Sequence, residues 1–117
     1  MIVLIPAFEP TRTLLDLLRD LAREAPELSV IVVDDGSGPL YAPLFSDATR
    51  LGADVIGYAD NRGKGAALKH GFAHIARHYP GQDVVCADSD GQHAVVDILR
   101  VVRAVHPGAM VLGVRAL

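Results

Sequence analysis

The chain has 117 residues, of which 50% are hydrophobic, and its 11 basic and 14 acidic side chains give a formal net charge of −3. This length and hydrophobic content predict one ordered domain with a substantial core. The net negative charge provides no overall positive field for nucleic acid, so no nucleic-acid partner is expected. The single cysteine, Cys86, excludes a disulfide framework and fits a reducing compartment. The apolar start stops at Pro6, far short of the ~20 residues that span a bilayer.

Short apolar runs rich in β-branched residues alternate with segments of helical periodicity along the chain. The five runs predict buried strands at Ile2 to Ile5, Val30 to Val33, Val55 to Tyr58, Val84 to Ala87 and Met110 to Val114. The helical segments run from Leu14 to Ala25, Tyr41 to Leu51, Leu68 to Tyr79 and Ile98 to Val105, and proline follows three of them. The alternation predicts an α/β fold of three α/β/α layers with a mostly parallel sheet.

Polar segments follow the predicted strands. They are residues 6–9 after the first strand, 34–37 after the second, 60–65 after the third and 88–93 after the fourth. Ligands of such sheets bind outside the carboxyl ends of the strands, where the strand order reverses. Acidic and basic side chains are therefore expected to meet on one rim of the sheet.

Asp88 and Asp90 are the acidic pair that most directly indicates a chemical role. Two carboxylates about 7 Å apart repel by roughly 2 kcal/mol at an effective dielectric near 20. If the chain turns through Ser89, their oxygens can converge on one divalent cation, and Gln92 can add a carbonyl oxygen. The alternative is that both carboxylates cap the following helix. His93 can support the acidic pair or lie on the surface.

Asp34 and Asp35 directly follow the second strand, and Gly36 permits a sharp turn after them. One of the two carboxylates can accept hydrogen bonds from the N–H groups of a nucleobase such as uracil or guanine. The alternative, an Asx turn that closes the strand, accounts for one aspartate but not for two.

The segment Gly63-Lys64-Gly65 opens the third predicted helix and suggests an anion site, because unpaired backbone N–H groups and a positive side chain meet there. It is not a Walker motif, and it is not a dinucleotide fingerprint because Leu68 stands in the third glycine position. A glycine-rich helix start without a ligand is the alternative.

His70, His74 and His78 recur every four residues and form a ladder along the same helix. A zinc site is one interpretation. The ladder lies opposite the apolar positions of that helix, so a solvated surface is the interpretation that the spacing favours.

Four segments in order resemble family 2 glycosyltransferases, especially the branch similar to dolichol-phosphate mannosyltransferases. They are Ile5-Pro6-Ala7-Phe8, Val33-Asp34-Asp35-Gly36-Ser37, Asn61-Arg62-Gly63-Lys64-Gly65-Ala66-Ala67 and Asp88-Ser89-Asp90-Gly91-Gln92-His93. The resemblance covers essentially the whole chain and implies the Rossmann-like nucleotide-binding half of the glycosyltransferase A fold. The family's domain continues past this length, so residues 1–117 are expected to be a donor-binding domain truncated at its C-terminus.

The resemblance also implies a site. It implies that Pro6, Ala7, Phe8 and Asp35 contact the nucleoside, that Gly63 and Lys64 lie near the base or the phosphates, and that Asp88, Asp90 and Gln92 hold a Mg²⁺ or Mn²⁺ ion. Further nucleotide-binding residues are expected at the strand ends, at Glu9, Asp34, Asp88 and Ser89. This chain departs from the family pattern at three places. Phe8 replaces a common tyrosine, Glu9-Pro10 replaces Asn-Glu, and Ser89 replaces alanine.

The implied activity is metal-dependent, inverting transfer of a hexosyl group from a UDP- or GDP-sugar to a polyprenyl-phosphate or glycan acceptor. A phosphate acceptor is already ionised near neutral pH, whereas a sugar hydroxyl needs a general base, which would lie beyond Leu117. The expected location is the cytoplasm, with the inner face of the membrane for a longer protein.

Three alternatives come from other classes. A nucleotide-sugar-binding fragment without turnover fits the same motifs, and exposed edges of such a fragment would favour self-association. A nucleotidyltransferase would carry a glycine-rich loop after the first strand, but residues 6–10 contain no glycine. A phospho-receiver domain would carry its acidic pair after the first strand and a lysine after the later aspartate, and neither is present.

Overall fold

In the part of the chain that the structure describes, five strands and four α-helices alternate. The computed structural model describes residues 1–89, 94–104 and 110–114. The strands are β1 (Ile2–Ala7), β2 (Ser29–Asp35), β3 (Asp54–Tyr58), β4 (Val84–Ala87) and β5 (Met110–Val114). The helices are α1 (Arg12–Glu24), α2 (Ala42–Arg50), α3 (Lys64–His78) and α4 (Ala94–Ala104), with a short 3₁₀ turn at Pro39–Tyr41 before α2.

The strands form one sheet in the order β3-β2-β1-β4-β5. Every paired strand in the described part of the chain is parallel to its neighbour. From β1 the chain builds outward through β2 and β3, and it then returns to the other side of β1 to add β4 and β5. The strand order therefore reverses at β1, and in a parallel sheet a ligand crevice lies at the carboxyl ends of the strands beside such a reversal.

Each face of the sheet has its own hydrophobic core, because successive side chains of a strand point to opposite faces. One core contains Val3, Ile5 and Val32 together with the leucines of α1 and with residues of α2 and α4. The other contains Ile2, Leu4, Ile31 and Val33, and α3 covers it. Helices thus cover both faces, and the α/β fold of three layers is confirmed.

The helices begin and end near the residues that the sequence indicates. The side chain of Thr11 caps α1 by accepting a hydrogen bond from the Thr13 N–H, and α1 ends directly before Ala25 and Pro26. Helix α3 starts at Lys64, one turn earlier than the apolar periodicity predicts, with Gly63 as its N-cap. Among the described residues, no helix is both long and apolar enough to cross a membrane.

The prediction that all five strands are buried is wrong for β3. This strand lies at the edge of the sheet, its side chains are only half-buried, and Gly57 is exposed. Its apolar sequence does not distinguish an edge position from a central one, because the position depends on which strands pair. The exposed edge gives polar residues of β3 room to contact α3.

Helix α3 approaches the sheet closely at Gly71, which is buried. A Cβ atom at this position would lie 2.5 Å from Cδ1 and 2.9 Å from Cδ2 of Leu4, a side chain of the central strand with no exposed surface. The absence of a side chain at Gly71 therefore sets how closely α3 packs on β1, and so where the N-terminus of α3 lies.

Candidate functional site

A cavity of about 310 Å³ opens at the carboxyl ends of the strands, at the crevice between β1 and β4. Its walls come from the ends of β1, β2 and β4 and from the start of α3. The lining residues are Pro6, Ala7, Phe8, Asp35, Asn61, Gly63, Lys64, Asp88 and Ser89. The cavity lies where the topology of a parallel sheet places a ligand.

Asp35, the last residue of β2, is the most constrained side chain of this site. It is only 3% exposed, and its carboxylate accepts four hydrogen bonds from side chains and main-chain N–H groups. Oδ1 accepts from the Tyr58 hydroxyl at 2.5 Å and from the Arg62 N–H at 2.9 Å. Oδ2 accepts from Nδ2 of Asn61 at 3.1 Å and from the Gly63 N–H at 3.0 Å. A buried carboxylate of this kind is stable because its charge is hydrogen-bonded throughout.

The hydrogen bond between Tyr58 and Asp35 lowers the pKa of Asp35 and raises the pKa of Tyr58. Burial raises the pKa of Asp35, but the hydrogen bonds from Tyr58, Arg62 and Gly63 and the charge of Arg62 outweigh it and lower the pKa below 3.8. Burial and the adjacent Asp35 carboxylate raise the pKa of Tyr58 to about 12. At neutral pH Asp35 is therefore charged and Tyr58 is a hydrogen-bond donor.

The 59–63 loop, residues 59–63 between β3 and α3, lies directly against the end of β2. The contact depends on Gly36, whose φ is +68° and whose missing Cβ would stand 2.2 Å from the Asp60 carbonyl carbon and from the Asn61 nitrogen. Only glycine has both the conformation and the space for this approach. The main-chain carbonyl of Asp35 also accepts a hydrogen bond from Nδ2 of Asn61 at 3.1 Å.

The start of α3 forms the basic wall of the cavity. Its first helical hydrogen bond runs from the Ala67 N–H to the Gly63 carbonyl, so the N–H groups of residues 64–66 have no helical acceptor. Nζ of Lys64 lies 2.8 Å from Oδ1 of Asp88 on the opposite wall. A positive helix end and a lysine thus face a carboxylate across the crevice, which suits a ligand that carries phosphate.

The family model for Glycosyl transferase family 2 matches residues 2–116. The chain belongs to this family. No solved structure matches the chain significantly. The resemblance that the four sequence motifs carry is therefore confirmed, as is the glycosyltransferase fold class.

Curated relatives in the family match most of this chain but less than half of their own length. An uncharacterised protein of Methanocaldococcus jannaschii is 33% identical over 103 residues, which is 88% of this chain and 40% of that protein. The dolichyl-phosphate beta-glucosyltransferase of Saccharomyces cerevisiae is 28% identical over 88% of this chain and 33% of its own. The undecaprenyl-phosphate 4-deoxy-4-formamido-L-arabinose transferase of Edwardsiella ictaluri is 30% identical over 95% of this chain and 35% of its own.

The structure brings eight of the ten nucleotide-binding residues expected from the sequence into the wall of the cavity. They are Pro6, Ala7, Phe8, Asp35, Gly63, Lys64, Asp88 and Ser89. Segments far apart in the chain meet there because the parallel strands end at the same edge of the sheet.

Glu9 and Asp34, the other two expected residues, do not line the cavity. Asp34 closes a local turn, in which its Oδ1 accepts from the Ser37 N–H at 2.9 Å. The Glu9 N–H donates to Oγ of Ser37 at 2.8 Å, and Glu9 has a positive φ of 45° that points to a tight turn after β1. Through Ser37, Glu9 and Asp34 connect the ends of β1 and β2, which line the cavity.

Of the three expected metal ligands, only Asp88 lies within the described residues, and Asp90 and Gln92 lie outside them, as does His93. The carboxylate of Asp88 reaches the cavity, where it is about one-third exposed and paired with Lys64. Within the described ranges, no group of three or more His, Cys, Asp or Glu side chains is arranged to hold a metal ion.

Two residues of the site, Tyr58 and Asn61, are not among the candidate site residues predicted from the sequence. Asn61 belongs to the family motif, and a side chain amide next to the glycines is a signal that could have been used. Tyr58 ends β3, and the register of the sheet places it directly beside Asp35. Strand alternation alone could not reveal this, because it does not say which strands are neighbours.

The expectation that the histidine ladder of α3 is a solvated surface is wrong for His74. Its side chain is only 20% exposed, and its Nε2 lies 2.8 Å from Oδ2 of Asp54 at the start of β3. The Tyr79 hydroxyl donates to the same oxygen at 3.2 Å, and the rings of His70 and Tyr58 pack in a T-shaped arrangement. His70 and His74 thus contact residues of the edge strand β3, where Asp54 is the partner of His74.

Proposed function

We propose that this cavity binds the donor of a glycosyl transfer, a UDP- or GDP-sugar. The chain would be the donor-binding part of an enzyme that moves a hexosyl group to a polyprenyl-phosphate or glycan acceptor. One observation carries the proposal: Lys64 and the N-terminus of α3 face Asp88 across a cavity at the crevice of a parallel sheet. Membership of glycosyl transferase family 2 supports the class of reaction.

The ion pair between Lys64 and Asp88 can be exchanged at low cost. The side chains of Lys64 and Asp88 are 52% and 34% exposed, and such surface pairs contribute about 0–1 kcal/mol. A diphosphate in the cavity offers Lys64 more negative charge than one carboxylate does. We therefore expect Lys64 to move to the diphosphate when the donor binds, which frees Asp88.

Asp88 then presents an oxygen ligand of the hard type that Mg²⁺ and Mn²⁺ prefer. A divalent cation held there, with Asp90 and Gln92 as the further proposed ligands, would neutralise the negative charge of the departing diphosphate. Lys64 and the start of α3 would stabilise the same charge from the opposite wall.

The rim of the cavity offers an apolar surface for the nucleoside. Phe8 is 48% exposed, lines the cavity and lies directly after β1. An aromatic ring at this place can stack on a planar base or cover one face of a sugar. In the proposed inverting reaction, the acceptor oxygen attacks the anomeric carbon from the side opposite the diphosphate.

Two relatives support a polyprenyl-phosphate acceptor, because their names place dolichyl phosphate and undecaprenyl phosphate in their reactions. A phosphate oxygen is already ionised near neutral pH, so such an acceptor needs no strong general base. This is consistent with the described site, where the Asp35 carboxylate is engaged in hydrogen bonds and Asp88 is the proposed metal ligand.

The deciding experiment is calorimetric titration of the chain with UDP and GDP, with and without Mn²⁺. We expect one nucleotide to bind more tightly, and the metal to strengthen its binding. Asp88→Asn should weaken metal-dependent binding by tenfold or more, whereas the matched change Asp16→Asn on the exposed side of α1 should not. A folded chain that binds neither nucleotide would refute the proposal.

A further inference from the structure

We propose that the outer edge of β3 is a homodimer interface, at which β3 of a second copy of this chain pairs antiparallel about a two-fold axis at Ile56. The pairing would continue the sheet of one copy into the sheet of the next. It uses no residue of the cavity wall, so it does not depend on the proposed function.

The outer edge of β3 is open. This strand comes first in the order β3-β2-β1-β4-β5, and its inner side pairs with β2 over the whole strand without a register shift. Within the residues that the structure describes, no strand covers the other side. Proline, lysine and bulges, which protect many sheet edges, are absent from β3. Its outward main-chain N–H and C=O groups can therefore hydrogen-bond to a further strand.

The charges along β3 favour an antiparallel partner. Asp54 begins the strand, whereas Arg62 lies near its end, with its guanidinium 4.7 Å from the centroid of the Tyr58 ring. A parallel copy in register would set Asp54 against Asp54 and Arg62 against Arg62, and like charges at opposite positions destabilise a sheet. An antiparallel copy sets each Asp54 against Tyr58 and Arg62 of the other copy.

Asp54 has an oxygen available for this contact. Its Oδ2 lies 2.8 Å from Nε2 of His74 and 3.2 Å from the Tyr79 hydroxyl, whereas its Oδ1 has no hydrogen-bond partner within the described residues. The Asp54 side chain is 39% exposed. Asp54 and Tyr58 point to the same face of the sheet, because an even number of residues separates them. The Arg62 stacked on Tyr58 of the second copy therefore comes beside Oδ1, and the two-fold axis repeats the contact.

Large and small side chains also match in this register. Ile56 lies opposite Ile56 of the second copy, and Val55 lies opposite Gly57. Gly57 is exposed, and its inner contact with β2 requires a glycine, since a Cβ there would lie 2.4 Å from the Asp34 carbonyl oxygen. The space that Gly57 leaves at the edge can take the half-buried Val55 of the other copy.

The first test is sedimentation equilibrium of the chain over a range of concentrations. A pair of short strands is small beside the interfaces of permanent dimers, so we expect a reversible monomer–dimer equilibrium. Arg62→Glu should raise the dissociation constant of the dimer by about tenfold or more, because two attractive contacts become repulsive. Arg19→Glu, a matched change of an exposed arginine on α1, should leave the constant unchanged. Adding Asp54→Lys to Arg62→Glu reverses both charges and should recover at least part of the loss.

Cysteine substitution tests the register. Directly opposite residues of an antiparallel pair have Cβ atoms about 4.5–5.5 Å apart, so Ile56→Cys brings the two new thiols together at the axis. Mild oxidation should then give a disulfide-linked dimer. Val55→Cys lies opposite a glycine and should not cross-link. Cys86 is buried and is present in both variants.

A chain that stays monomeric at the highest attainable concentration would overturn the inference and leave the edge to a strand of a different protein. A dimer that Arg62→Glu does not weaken, or that cross-links as well through Val55→Cys as through Ile56→Cys, would also overturn it. Circular dichroism checks that each variant folds, and the cysteine variants decide if Asp54→Lys does not. No nucleotide is present in these measurements, so a failure of the proposed function leaves their outcome unaffected.

Discussion

Asp34 and Asp35 are neighbours in sequence, but their carboxylates have different roles. Asp34 closes a local turn by accepting a hydrogen bond from Ser37, three residues away. Asp35 points to the opposite side of the strand, where it is buried and binds donors 23 to 28 residues away. The alternation of side chains in β2 therefore separates a turn residue from the residue around which the site is organised.

Lys64 is expected to contribute to diphosphate binding through its charge. Lys64→Met keeps an unbranched apolar stem and should weaken UDP or GDP binding by about tenfold, since one charge-assisted contact is lost. Lys69→Met changes an exposed lysine of the same helix that does not line the cavity, and it should leave binding unchanged. Equal affinities for the two variants in calorimetry would show that Lys64 does not contact the ligand.

At the scale of elements, α3 links the cavity to the rest of the domain. Its first turn forms the basic wall, Gly71 packs on β1 in its middle, and His74 bonds to Asp54 of β3 near its end. The helix is held to the sheet at points along its whole length. A shift of α3 on the sheet should therefore change both stability and the position of Lys64.

Gly71→Ala tests this packing. The added methyl group would overlap Leu4, and overpacking of this kind costs about 1–3 kcal/mol, which exceeds the gain of up to about 1 kcal/mol in helix propensity. We expect a net loss of stability in urea unfolding. Gly65→Ala is the matched control, because no atom lies within 4 Å of its Cβ position, and it should be neutral or slightly stabilising. Similar stability for both variants would contradict the close contact.

At the scale of the whole molecule, the order of the strands creates the site. The chain turns from one side of β1 to the other after β3, so the polar ends of β1, β2 and β4 surround one crevice. The two cores below it differ: among the described helices, α1, α2 and α4 cover one face and only α3 covers the other. The 59–63 loop joins β2 and β3 to α3, and its ionisable contacts should affect the stability of the whole domain.

The pKa shifts predict how stability depends on pH. Asp35 has a lowered pKa, so its contribution is present above its ordinary value of 3.8 and is lost as pH falls below it. Tyr58 has a pKa raised to about 12, so its contribution is complete below 10.0 and is lost as pH rises toward 12. Urea unfolding across pH should show both decreases, with the alkaline one reduced in Tyr58→Phe. A stability that rises above pH 10.0 would contradict this assignment.

Much of the fold follows from local patterns in the sequence. Strand and helix positions, the α/β class and the rim of polar residues can be read from apolar periodicity and from proline and glycine, because backbone geometry fixes those periods. The four motifs also indicate the family and eight residues of the cavity wall. This information lies within short segments, so it can be read without knowing which strands are neighbours.

Packing between elements determines which segments meet. It places β3 at the edge of the sheet, which gives His74 a partner in Asp54 instead of solvent. It pairs Asp35 with Tyr58 and with the 59–63 loop, and Lys64 with Asp88, 24 residues away. Sequence periodicity contains no distances between elements, whereas these contacts depend on strand order and helix packing. The sequence by itself therefore determines the elements and the chemistry available at their ends, and packing determines which of those groups face one another.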